Sequence, residues 1–285
     1  MIVVIPALNR QDVLSQSLGF LLEATSEATH IFVWDNGSDP PLVGPASARL
    51  HIERVAENIG NYPIFAHGLA LAERLEQEHV AFLHSDFLMY EHHWDRQVLD
   101  QFDLFLDLGL IGCVGSSEID ANGGRGLGTV SNFLGAHGAH GAEIHGKRST
   151  GLTPAAVVDG CAMIFRTDVL RTIGTRPDFP PHHLYDRLLS CQVLEAGHRI
   201  AVLGLRGDHL GMRTATGHLY QDFCREWAER HALVPALDTV GNPNWDLTIY
   251  LAGESLFLKE YRDEKHLIPC YVDADWVRHD GAPPR

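Results

Sequence analysis

Apolar, β-branched runs alternate with helix-period segments through residues 1 to 90, and this alternation restricts the chain to an α/β architecture. Ile2 to Ile5 is closed by Pro6, after which Leu14, Leu18, Leu21 and Leu22 recur at helical spacing. His30 to Trp34 is a second apolar run, ending in the turn formers Asp35-Asn36-Gly37-Ser38-Asp39, and His51 to Val55 reads as a short third strand. Asn58-Ile59-Gly60-Asn61 leads into a helix whose expected buried face is Phe65, Leu69, Ala72 and Leu75. That helix delivers the chain to a strand from Val80 that stops at His84-Ser85-Asp86. The order predicts a mostly parallel, Rossmann-like sheet flanked by helices, with right-handed crossovers. The loops Pro6 to Arg10, Asp35 to Asp39 and His84 to Asp86 then converge at one edge, where open α/β sheets place ligands.

The pattern continues as a helix through Val98, Phe102 and Leu106, a strand from Leu110 to Val114, and a kinked strand from Val157 to Arg166. After the break at Pro177 to Pro181 come a helix from His183 to Ala196, with Gly197 as C-cap, and a strand from Arg199 to Leu203. Residues 116 to 153 are rich in glycine and histidine, a composition expected to form a long mobile loop without a core. Its Gly124-x-Gly126-x-Gly128 lacks the preceding strand and following helix of a dinucleotide fingerprint, and His137, His140 and His145 read as solvated loop residues. Residues 1 to 210 are expected to form one domain, and 211 to 285 a mainly helical extension with helices around Trp227 and from Leu247 to Tyr261.

The net charge of −15, with no block of Lys or Arg, argues against an extended footprint on nucleic acid, although a local basic patch stays open. No apolar run approaches the roughly 18 residues of a membrane span, and the short Ile2 to Leu8 run lacks the basic flank of a signal peptide. A cytoplasmic protein is the expectation. The five cysteines are scattered and unpaired in sequence, which predicts reduced thiols.

Asp86 is the first candidate for function, as a carboxylate at a strand's carboxyl end, although taken alone it reads more readily as a cap of the helix that follows. Six stretches in order resemble the family 2 glycosyltransferases over residues 1 to 210. They are Val4-Ile5-Pro6 with Asn9-Arg10; Val33-Trp34-Asp35-Asn36-Gly37-Ser38; Asn58-x-Gly60-Asn61; Phe82-Leu83-His84-Ser85-Asp86; Asp159-Gly160-Cys161 running to Arg166; and Tyr185-Asp186 ahead of Glu195 to Ile200. Where the family shows Asp-x-Asp, this chain has His84-Ser85-Asp86, so an imidazole replaces the first carboxylate.

The resemblance implies a GT-A fold and an inverting, hexosyltransferase-type enzyme acting on a nucleotide-diphosphate sugar, uridine-linked in preference to guanosine-linked. Asp86 would hold a divalent cation across the diphosphate, with His84 and His209 as further ligands; nitrogen ligands favour Mn²⁺ over Mg²⁺. Asp35 would bond the base or ribose. Pro6, Ala7, Asn9, Asn58, Gly60 and Ser85 would frame the donor pocket, and Asp159 and Gly160 the sugar and acceptor side. Asp186 would be the general base that deprotonates the acceptor hydroxyl. The acceptor stays open among a saccharide, a lipid-linked sugar, a protein and a modified nucleobase. A non-catalytic sugar-nucleotide or glycan-binding module is the alternative that His84 motivates. A nucleotidyltransferase is disfavoured because Ala7-Leu8-Asn9-Arg10 lacks phosphate-loop glycines, and a metal hydrolase because His92-His93 and His182-His183 lack helical ligand spacing.

Overall fold

A computed structural model describes residues 1–126, 128–133, 146–211 and 218–272. The chain opens with β1 (Ile2–Ala7), α1 (Gln11–Ala24), β2 (His30–Asn36), β3 (Leu50–Val55), α2 (Tyr62–Arg74) and β4 (His79–Leu83). Next come β5 (Phe87–Met89), α3 (Trp94–Leu104), β6 (Leu108–Gly112), β7 (Val114–Ser116), β8 (Glu118–Ile119), β9 (Thr129–Ser131), β10 (Lys147–Arg148) and β11 (Leu152–Ala155). β12 (Val157–Val158), β13 (Ala162–Arg166), α4 (Thr167–Ile173), α5 (Tyr185–Glu195), β14 (Arg199–Leu203) and β15 (Gly207–His209) follow. The rest holds α6 (His218–Arg230), the short pair β16 (Ala236–Leu237) and β17 (Pro243–Asn244), α7 (Trp245–Leu258), a π-helical turn (Lys259–Glu264) and β18 (Cys270–Tyr271).

The central sheet has eight strands in the order β11-β14-β6-β13-β4-β1-β2-β3. β1, β2, β3 and β4 run parallel, as do β6 and β14, whereas β13 lies antiparallel between β4 and β6. This is the mostly parallel, helix-flanked α/β sheet that the alternation predicts. Side chains alternate across it, which divides the core in two. Ile2, Val4, Val80 and Phe82 pack with Phe65, Phe165 and Leu188 on one face; Val3, Ile5, Ala81 and Leu83 pack with Leu14, Leu18, Trp94 and Val98 on the other.

Three expectations need correction. Residues 116 to 153 are not one coreless loop: β7, β9, β10 and β12 form a separate four-stranded sheet, β11 edges the main sheet, and Ile119 and Val130 are buried. Small residues there let strands approach closely instead of leaving the segment unpaired; a Cβ on Gly115 would lie 2.4 Å from Val157 O. His137, His140 and His145 lie outside the described residues. The buried face of α2 includes Phe65 and Ala72 but continues through Leu71, while Leu75, just past the helix end, is 40% exposed. The kinked strand from Val157 to Arg166 is two strands in different sheets, separated by a turn at Asp159 to Cys161.

The C-terminal helices pack against the strand-end loops of the main sheet, since Tyr220, Phe223, Cys224, Trp227 and Ile249 form a cluster that Leu8 joins. All five cysteines are free, four of them buried and Cys270 half-buried. Among the described residues no helix is long and apolar enough to cross a membrane.

Candidate metal centre and its surroundings

β4 ends at Leu83, and the chain turns through His84-Ser85-Asp86 into β5, which pairs antiparallel with β15. That ladder places His209 opposite Phe87, beside Asp86, while Leu210 N donates to Asp86 O at 3.0 Å. Three ligand-type atoms therefore meet. His209 Nε2 lies 3.1 Å from Asp86 Oδ1, His84 Nδ1 lies 3.4 Å from His209 Nε2, and His84 Nδ1 lies 4.0 Å from Asp86 Oδ1. Two imidazoles and a carboxylate so arranged can hold a divalent cation from one side and leave its other positions open. Among the described residues this is the one cluster of that kind.

The protonation chemistry of His84 suits such a role. Burial, and then the neighbouring His209, push the His84 pKa below its ordinary value, which keeps a ligand lone pair available. His209 is raised: burial opposes its charge, but the hydrogen bond and charge of Asp86 outweigh it. His84 Nε2 sits 2.7 Å from Tyr185 Oη, an outer partner that orients the imidazole. Burial raises that phenol well above its normal range, so it stays protonated. Gly160 makes the contact sterically feasible, because a Cβ there would come within 2.6 Å of Tyr185 Oη.

Asp159 and Asp186, whose charges both act on Tyr185, are joined by a residue that the sequence did not single out. Arg125 forms an ion pair with Asp159 and another with Asp186 at 2.7 Å. Burial would lower the Arg125 pKa, but the two carboxylates raise it, so the guanidinium is permanently charged. Burial likewise opposes ionisation of Asp159, yet Arg125 and then His209 hold it below the carboxylate range. A lone arginine amid glycines carries no motif, and only the fold brings it to these acids.

The donor-side candidates converge as expected but are largely bonded to one another. Asn9 is left-handed, with φ 55°; its N–H donates to Ser38 Oγ at 2.7 Å, and its Oδ1 accepts from Asp39 N at 3.0 Å. Pro6 and Ala7 end β1 beside Trp34 and Asp35. Asp35 is fully buried, accepting from Ser38 N at 2.9 Å and Leu42 N at 3.1 Å, and pairs with Arg54 at 3.2 Å. Its carboxylate therefore organises the turn. Asn58 Oδ1 accepts from Asn36 Nδ2 at 2.8 Å and Gly60 N at 2.9 Å, whereas Asn58 Nδ2 is buried with no partner among the described residues. Gly60, at φ 86°, leaves no room for a Cβ against Pro181. Ser85 is half-buried between the two metal-ligand candidates. A cleft of about 1310 Å³ opens beside Gly37 and Asn58, walled by Tyr62, His67, Phe223 and Arg230.

The sequence matches no family model and no curated protein. In shape it is similar to solved glycosyltransferase structures. One is the mannosyltransferase PcManGT from Pyrobaculum calidifontis in complex with GDP-Man and Mn²⁺, at a TM-score of 0.49 and 14% identity, over 91% of this chain and 69% of that one. Another is residues 1–349 of S. aureus TarS, at a TM-score of 0.49 and 14% identity, over 94% of this chain and 74% of that one. A longer S. aureus TarS structure gives a TM-score of 0.48 and 13% identity, over 90% of this chain and 43% of that one.

Proposed function

We propose that this protein is an inverting glycosyltransferase of GT-A type that moves a sugar from a nucleotide-diphosphate donor to an acceptor hydroxyl. The observation that carries the reading is the His84, Asp86 and His209 cluster at the carboxyl edge of β4, in the stretch that resembles the family's metal motif. A divalent cation bound there, Mn²⁺ in preference to Mg²⁺, would neutralise charge on the leaving diphosphate. The donor, uridine-linked in this reading, would lie with its nucleoside toward the Asn9, Asp35 and Asn58 loops. The orphaned Asn58 Nδ2 offers a hydrogen bond there. Asp159 and Gly160 face the sugar side, and the acceptor proton is taken up near the head of α5, where Asp186 stands.

Nucleotide-sugar cleavage tests the reading. UDP-glucose, UDP-N-acetylglucosamine and GDP-mannose are incubated with the protein and Mn²⁺, and released nucleoside diphosphate is measured. Cleavage of at least one donor that disappears in Asp86→Ala is expected. A protein that is stabilised by no nucleoside diphosphate with Mn²⁺, and whose residual turnover survives Asp86→Ala, is not this enzyme.

A further inference from the structure

Asp186 is poorly placed to receive a proton. Its Oδ2 is paired with Arg125 at 2.7 Å, its Oδ1 accepts from Arg187 N at 2.9 Å, and the residue is buried. Both carboxylate oxygens are thus already engaged, one by the guanidinium and one by a backbone N–H. Three residues upstream stands a group with the opposite character. His183 Nε2 lies 2.7 Å from Asp246 Oδ1, and Tyr220 Oη donates to the same oxygen at 2.5 Å. Burial would raise Asp246, yet the hydrogen bonds from His183 and then Tyr220 bring it below the ordinary carboxylate range. It is therefore anionic and can only accept. His183 therefore donates to Asp246 through Nε2, and its other ring nitrogen, Nδ1, is an atom that no described residue bonds.

The backbone is built around this ring. His183 and Leu184 both take left-handed conformations, at φ 64° and 55°, which the surrounding packing must hold in place. His182 wedges edge-on against Tyr220 and Phe223, and Tyr250 packs edge-on against His183. Tyr185 follows two residues later, so its Cα is within roughly 7 Å of that of His183, and its hydroxyl reaches His84 at 2.7 Å. The ring thus belongs to the same end of the sheet as the metal-ligand cluster.

We propose that His183, oriented by Asp246 and Tyr220, is the proton acceptor for the attacking hydroxyl, and that the C-terminal helices contribute these two positioning residues to the site. The inference rests on the glycosyltransferase reading. The acceptor oxygen forms its bond to the anomeric carbon as the carbon–oxygen bond to the diphosphate breaks, its electron pair leaving with the diphosphate. The hydroxyl proton passes to His183 Nδ1 and then to solvent.

The test uses the full chain and the same three donors with Mn²⁺, with water as acceptor. His183→Gln, which keeps a donor for Asp246 but has no basic nitrogen, is expected to lower kcat about 100-fold, the lower range for loss of a general base, with donor KM unchanged. His183→Ala is expected to regain at least about tenfold with added imidazole, as a missing general base does; a packing role would not respond. Asp246→Asn should lower kcat with the same KM. In the metal-free protein, ¹⁵N shifts of His183 at neutral pH should show protonated Nε2 and bare Nδ1. Normal kcat in His183→Gln, a larger loss in Asp186→Asn than in His183→Gln, or an Nδ1–H tautomer would each overturn the inference while leaving the glycosyltransferase reading intact. Absence of cleavage by the wild-type protein would overturn both.

Discussion

The hydroxyl of Tyr185, at the first position of α5, lies 2.7 Å from Nε2 of His84, at the end of β4. One hydrogen bond thus couples the His84, Asp86 and His209 cluster to the helix that carries Asp186.

Gly160→Ala tests that coupling. The new methyl would meet Tyr185 Oη at 2.6 Å and push the ring away from His84. Overpacking of this kind costs about 1–3 kcal/mol, and the freed imidazole should bind Mn²⁺ about tenfold more weakly, as loss of an outer-shell partner does. Calorimetric titration with Mn²⁺ and a denaturant melt separate the two effects.

Mn²⁺ should stabilise the folded protein. At a hundredfold excess over Kd the gain is about 2.7 kcal/mol, and a chelator should reverse it. Mg²⁺ should give a smaller shift at equal concentration, because it prefers oxygen ligands. Asp86→Ala or His209→Ala should remove the Mn²⁺-dependent rise in Tm.

The two histidines should leave opposite signatures in pH. The folded pKa of His209 is raised above its ordinary 6.5, so its contribution is full below that value and fades as pH rises through the folded pKa. The folded pKa of His84 is lowered, so its contribution is present above 6.5 and is lost as pH falls through the folded pKa. His209→Gln should therefore destabilise the metal-free protein more at pH 5.5 than at pH 8.5, and His84→Gln the reverse. Mn²⁺ binding should release a proton from His209, so its affinity should weaken as pH falls. Thermal melts and titrations in two buffers of different ionisation enthalpy read both effects.

Arg125→Gln should destabilise the protein by about 3 kcal/mol at neutral pH, since it leaves the buried Asp186 and the half-buried Asp159 without their shared cation. Asp159 is held below its ordinary 3.8 chiefly by this guanidinium, so the wild-type stabilisation exists above that value and is lost as pH falls through the folded pKa. The gap between wild type and variant should begin to narrow as pH falls below 3.8 and should close only once pH is below the folded pKa of Asp159. A gap that persists there would assign Arg125 a packing role instead.

Sequence alone determined the layered architecture and one end of the site. Runs such as Ile2 to Ile5 and Val80 to Leu83 bury both faces of a strand, and that requirement is written in consecutive apolar residues. Helical spacing at Leu14, Leu18 and Leu21 is local in the same sense. Asp86 was legible because a carboxylate that stops an apolar strand is a local signal. His209 was a candidate ligand only through the family resemblance, and the pairing of β15 with β5 decided where it stands. Tertiary structure decided the rest. Arg125 reaches Asp159 and Asp186 across 34 and 61 positions, from a glycine-rich segment whose strands are set by close backbone packing and not by side-chain pattern. His183 acquires its partners from α6 and α7, 37 and 63 positions away. Charge pairing and proton transfer depend on distances of a few ångströms in three dimensions, and no periodicity along the chain encodes those distances.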